Sequence, residues 1–203
     1  AYHVELATKL HLDLRTEYKS EIITDSRHKL ARAYRYEPET GAWVTISEKV
    51  IDTRVQSYAG VTYGPRALAK KMNVADIEGT IRAFKSRCAE PEFFYKAQAG
   101  VLFSNGFLAV TNERLELLEH SSEHRARARY LCKYDPTIEA PRWLKFLREI
   151  FEGDEDAEQK INFLQEFFGA CVLGIATTYQ LAVFLLGDGA NGKTTLLDII
   201  TEL

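Results

Sequence analysis

The sequence predicts an α/β fold in the broad sense. A mixed α+β domain is expected over residues 1–135, a helical connector over 136–180, and the opening of a parallel α/β domain over 181–203. Three observations support this. Residues 31–37 and 42–46 alternate with a period of two on either side of a turn, and residues 101–110 and 114–118 are strand-like, the first around Asn105-Gly106. Apolar residues recur at helical spacing in four or more other segments. A continuous apolar run at 181–186 is followed by a glycine-rich loop and then a third helical stripe.

Residues 1–19 are helix-like, with charged residues along one side. Ala33 and Arg35 alternate with Tyr34 and Tyr36, Pro38-Glu39-Thr40-Gly41 forms a turn, and residues 42–46 alternate again, which together predict a β-hairpin. Ser47 is expected to cap a helix running to about Tyr58. Pro65 is expected to open another helix that ends near Asn73. A third helix, over 74–88, would place Ile77, Ile81 and Phe84 on one face. Residues 101–110 read as strand around Asn105-Gly106, a tight turn or bulge, and residues 114–118 as a further short strand. Pro136 and Pro141 bracket a linker. Beyond it, Trp143, Phe146, Leu147, Ile150 and Phe151 recur at helical spacing up to the break at Gly153. Asp154, Glu155 and Asp156 then open a helix whose positive end they complement, with Ile161, Phe163, Leu164, Phe167 and Phe168 as its apolar face.

Residues 187–194 read Gly187-Asp188-Gly189-Ala190-Asn191-Gly192-Lys193-Thr194. This is G-x-x-x-x-G-K-T, a phosphate-binding loop. Its fixed positions would recur by chance in on the order of one chain in a hundred. Glycines let successive N–H groups point inward around an anion, and the N-terminus of the following helix adds its unpaired donors. Lys193 would reach the β- and γ-phosphates of ATP, Thr194 would ligate Mg²⁺, and Thr195 would donate near the α-phosphate. The run at 181–186 would be the buried strand before the loop. Leu196, Leu197, Ile199, Ile200 and Leu203 would form the apolar stripe of the helix after it.

The 203 residues, 46% of them hydrophobic, are enough for one or two globular domains. A net charge of −3 gives no whole-chain signal for nucleic acid. The charge is uneven, with 21 basic and 19 acidic residues in 1–140 against 5 and 10 in 141–203, so the first part is the better candidate for DNA contact. Cys88, Cys132 and Cys171 lack metal-ligand spacing and are expected to be reduced thiols in a cytoplasmic setting. No secretory leader is expected. Residues 167–186 carry no charge over twenty positions, the length of a membrane span. Gly169, Gly174 and the polar 177–180 cluster interrupt them, so a helix, a turn and a buried strand are expected instead.

The order of pieces resembles the phage, plasmid and poxvirus primase-helicase family, here its N-terminal helicase-associated part and the start of a superfamily 3 helicase ATPase. The likeness rests on Tyr34-Arg35-Tyr36 with Gly41-Ala42-Trp43, and on Phe103-Ser104-Asn105-Gly106-Phe107-Leu108. It continues in Tyr134-Asp135-Pro136 with Pro141-Arg142-Trp143 and Phe146-Leu147, then in Leu164-Gln165-Glu166-Phe167-Phe168-Gly169, and ends in the loop itself. The resemblance covers roughly residues 30–203. It implies an ATP-dependent replicative DNA helicase acting as a homo-oligomeric ring, usually hexameric, around DNA, with no membrane partner. The acidic strand, polar sensor and arginine finger of such an enzyme would lie past Leu203, so these residues alone are expected to be inactive.

Weaker patterns remain. Arg125, Arg127 and Arg129 alternate and, as a strand, would present three guanidiniums to phosphates; an ordinary exposed face is the plainer reading. Tyr34, Tyr36 and Trp43 fit base stacking or, more simply, cross-strand packing. His120-Ser121-Ser122-Glu123-His124 fits a zinc-protease pattern, for which a solvated loop is the simpler account. Two other functions stay open: a non-enzymatic oligomerisation or DNA-loading module with a vestigial loop, and an unrelated phosphate-loop ATPase such as a kinase.

Overall fold

The structure is a computed structural model that describes residues 2–26, 30–60, 72–111, 114–187, 189 and 191–202. It is a mixed α+β protein with α1 (Tyr2–Tyr18), β1 (Ile22–Thr24), β2 (Ala33–Glu37), β3 (Ala42–Ile46), α2 (Glu48–Gln56), α3 (Val74–Arg87), β4 (Gly100–Phe103), β5 (Gly106–Thr111), β6 (Arg114–Leu118), α4 (Pro141–Ile150), α5 (Ala157–Val172) and α6 (Lys193–Glu202). Contacts divide the chain into two compact units, Ala1–Gln98 with Glu119–Arg129, and Ala99–Leu118 with Tyr130–Leu203. The strands after residue 100 therefore group with the later helices rather than with the rest of 1–135.

In the first unit β1, β2 and β3 form an antiparallel sheet, with Tyr36 opposite Trp43 as the hairpin reading requires. The two faces of the sheet differ because side chains alternate along each strand. Ile22, Ala33 and Ile46 face a core built with Leu6, Leu10, Leu14, Ile51, Val55 and Phe84 from the helices. Ile23, Tyr34 and Trp43 face the other way, onto Tyr36, Phe93 and Phe94. The spacing of Leu6, Leu10 and Leu14 puts one side chain per helical turn into the core. Asn73 caps α3 in a reciprocal box: its side chain accepts from the Asp76 N–H and the Asp76 carboxylate accepts from the Asn73 N–H. Ser47 departs from expectation. It occupies the N-cap position of α2 without a side-chain cap, and its carbonyl accepts from Val50 and Ile51 instead. The helix expected from Pro65 falls mainly outside the described residues.

Cys88 lies within this core, and burial pushes its thiol up to about 12. Cys132 and Cys171 are exposed. Because the thiolate is the reactive form, a thiol reagent at neutral pH should label Cys132 and Cys171 in the native protein, and Cys88 only after denaturant is added. A third thiol reacting at the native rate would contradict this burial.

In the second unit β4, β5 and β6 form an antiparallel meander. The Asn105 side chain works like a segment of strand: its amide donates to the Tyr134 carbonyl at 3.0 Å and its Oδ1 accepts the Tyr134 N–H at 2.8 Å. Phe103 stacks on Tyr130 and meets Tyr134, with centroids 5.6 and 5.5 Å away. Two of the sequence motifs are thus halves of one contact. Leu147, Ile161, Leu164 and Leu196 form the buried centre of the helices. Phe163 is 45% exposed and stacks on Phe167, so the expected single face of α5 is really two. Asp154 and Asp156 do not cap α5 through their side chains; both pair with Lys160, at 2.7 and 2.8 Å.

Residues 181–186 correct the expectation of a strand. They are irregular, with Phe184 81% and Leu186 90% exposed, and Leu185 leans on the helical core. An apolar strand needs neighbours on both edges to satisfy its backbone, and among the described residues no strand runs beside it. Among the described residues no helix is long and apolar enough to cross a membrane.

Candidate functional site

The glycine-rich segment sits on the helical core of the second unit. Gly192 approaches α4 so closely that a Cβ there would lie 2.5 Å from Ile150 Cγ2 and 3.3 Å from Phe146. Its φ of +80° and that of Gly189, +109°, lie in the left-handed region that favours glycine. One turn on, the Leu196 N–H donates to the Gly192 carbonyl at 2.9 Å, and Leu196 is fully buried between α4 and α5. Of the expected α6 stripe, Leu196 and Ile200, four residues apart on one face, pack on the core, while Leu197 and Ile199 are exposed; Leu203 lies outside the described residues.

The loop curls around its own lysine. Lys193 Nζ donates to the Gly187 carbonyl at 2.9 Å and to Asn191 Oδ1 at 2.6 Å. A Cβ on Gly187 would collide with the Asn191 side chain and lie 2.9 Å from the ammonium. Thr194 and Thr195 follow on the first turn of α6, both exposed. Gly187, Asn191 and Lys193 are thereby brought together; Gly189, Gly192, Thr194 and Thr195 adjoin them along the chain, while Asp188 and Ala190 lie outside the described residues. The Lys193 ammonium thus sits against the Gly187 and Asn191 oxygens, with the Thr194 and Thr195 hydroxyls at the helix start beside it.

The second group of expected residues lies in the first unit. The 125–129 segment is no strand. A short 3₁₀ turn at Ser122–His124 precedes it, and Arg125 adopts a left-handed φ of 56° that breaks the alternation. The Ala126 carbonyl accepts the Trp43 N–H at 2.7 Å, so the segment docks on the outer edge of β3. Arg125 lies 4.6 Å over Phe93 and donates to its carbonyl at 3.1 Å; Arg127 lies 4.6 Å over Phe94. Arg125 is thus committed to packing, whereas Arg127 and Arg129 are exposed.

Trp43 and Tyr34 are each 4% exposed, and edge-to-face contacts link them to Phe93 and Phe94. These aromatics are packing pairs. Phe93, Phe94 and Tyr95 stand as one aromatic run in the sequence, with no strand or helix period to mark them. His124 is not solvated: it is buried, with Nδ1 2.8 Å from Gln98 Oε1 and Nε2 3.0 Å from the Glu119 carbonyl. It pins its loop, and no metal-ligand cluster occurs among the described residues.

Residues 20–152 match the D5 N-terminal-like family. No curated protein matches the chain. The matched span includes both sheets and α4, and hence the Phe103, Asn105 and Tyr134 contact; it stops short of the loop at 187–195. With well over half of its residues matched, the chain belongs to the D5 N-terminal-like family, the primase-helicase N-terminal domains of phage, plasmid and poxvirus type.

Proposed function

We propose that this chain is part of an ATP-dependent replicative DNA helicase, and that residues 187–195 bind ATP with Mg²⁺. The observation that supports this best is the Lys193 ammonium, drawn into a loop of glycines where two neutral oxygens hold it without neutralising it. A phosphate oxygen carries full charge and outcompetes neutral amide oxygens for such a cation. Thr194 would hold the Mg²⁺, which when bound neutralises phosphate charge; Lys193 and the loop amides orient the phosphates. Membership of a primase-helicase family supports DNA as the polymer acted on, and a homo-oligomeric, hexameric ring as the working form. Arg127 and Arg129 remain the candidate DNA contacts among the three arginines, with Arg125 serving to position the segment.

Binding of a fluorescent ATP analogue in the presence of Mg²⁺ tests this reading. Lys193→Ala removes a charge-assisted contact worth about 1.5–3 kcal/mol, so affinity should fall about tenfold or more. Equal binding by both proteins would favour the alternative of a non-enzymatic module with a vestigial loop.

A further inference from the structure

We propose that Tyr95 and Arg127 form a binding site for single-stranded DNA, with a base stacked on the Tyr95 ring and a backbone phosphate held by Arg127. The inference rests on the reading above that the chain works on DNA, and it assigns a place on the first unit to that contact. Tyr95 is 91% exposed, although it directly follows two aromatics that are packed away. It stands in a short 3₁₀ turn, Phe94–Lys96. A ring displayed this way contributes no core burial and offers a flat face to a partner. Beside it opens a cavity of about 440 Å³ lined by Asp25, Ala31, Pro91, Phe94, Tyr95 and Arg127. The Arg127 guanidinium lies 4.6 Å over the Phe94 ring, a contact that holds it beside the cavity and lowers the freedom it would lose on binding. Among the described residues no carboxylate pairs with Arg127.

Charge decides what kind of nucleic acid fits. Asp25 lines the same cavity as Arg127 and, among the described residues, accepts only from neutral donors, the Arg32 backbone N–H at 2.9 Å and the Tyr34 hydroxyl, so its carboxylate charge offsets that of Arg127, while Glu92 pairs with Lys96 at 3.0 Å. The patch is therefore close to neutral, and stacking rather than charge must supply most of the affinity. Stacking needs an unpaired base with a free face, which a duplex does not offer and a single strand does.

The test is the fluorescence anisotropy of a labelled oligothymidylate of about ten nucleotides, titrated with the chain at several salt concentrations. Tyr95→Ala should weaken binding about tenfold, and Tyr95→Phe, which keeps the ring and loses only the hydroxyl, should bind as the parent does. Arg127→Ala should flatten the slope of log affinity against log salt by about 0.7, the value for one phosphate on a single strand. Because Tyr95 is exposed, its removal should leave the thermal transition in place, and circular dichroism checks that. Unchanged affinity in Tyr95→Ala would overturn the site while leaving DNA binding elsewhere intact. Equally tight binding of a duplex, or tighter binding of oligouridylate, would overturn the assignment to single-stranded DNA. No binding by the parent chain would overturn the site together with the DNA part of the proposed function, whereas the nucleotide part is judged separately by Lys193→Ala.

Discussion

Phe84→Ala should destabilise the first unit by about 3–5 kcal/mol, the usual range for deleting a buried phenyl ring. Phe84 is fully buried where α3 meets Leu6, Leu10 and Leu14 of α1 and Ile51 and Val55 of α2. Two costs add. The ring's transfer out of water is lost, and the cavity left behind cannot collapse fully, because three helices and the sheet each hold one of its walls. Domain stabilities run from about 5 to 15 kcal/mol, so a loss of this size would leave the unit marginal. Urea denaturation followed through Trp43, in a background where Trp143 is replaced by Phe, gives the number directly. A loss below about 1 kcal/mol would mean that the helices repack around the gap.

Gly192→Ala should disrupt the loop and α6 together. Left-handed backbone costs a non-glycine residue about 1–2 kcal/mol. The new methyl would also sit 2.5 Å from Ile150 Cγ2, so the Ile150 side chain or the helix start would have to shift. Overpacking of this kind typically adds about 1–3 kcal/mol. Gly189→Ala provides the control: φ there is +109°, yet a Cβ would meet nothing within 4 Å, so only the backbone term applies. The expected outcome is that Gly192→Ala lowers the stability reported by Trp143 more than Gly189→Ala does, and that it increases hydrogen exchange along α6 as Leu196 leaves its site. Equal losses from the two substitutions would show that the close approach to α4 is soft.

The parts of the fold that could be read in advance are those set by neighbours in the chain. The β2–β3 hairpin announces itself through alternation on either side of Pro38 to Gly41, and α3 through the helical spacing of Ile77, Ile81 and Phe84, because both patterns are set within a few residues. The expectations that failed depend on distant partners. Residues 181–186 have the composition of a buried strand, but composition cannot supply the adjacent strands that would pair with them. The 125–129 alternation matches a strand, but Arg125 turns left-handed to lay its guanidinium over Phe93, thirty-two residues earlier. In the loop, the glycine spacing carries the proposal of a phosphate ligand, yet it could not show that Gly192 is pressed against Ile150 or that Lys193 is held by Gly187 and Asn191. Tyr95 escaped notice because an exposed ring in a short turn leaves no periodic trace.

The docking of the 122–126 segment on β3 has a consequence for synthesis. The Trp43 indole donates to the Ser122 carbonyl, 79 residues further along the chain. At about 5–20 residues per second the ribosome takes roughly 4–16 s to make that stretch. Throughout that interval the nascent hairpin has an open edge at β3, and until Phe93 and Phe94 follow its aromatic rings are uncovered as well, the combination that invites pairing with another chain. The first unit thus completes its fold only after the meander at 100–118 has been made, and its most vulnerable moment falls before the residues that close it have left the ribosome.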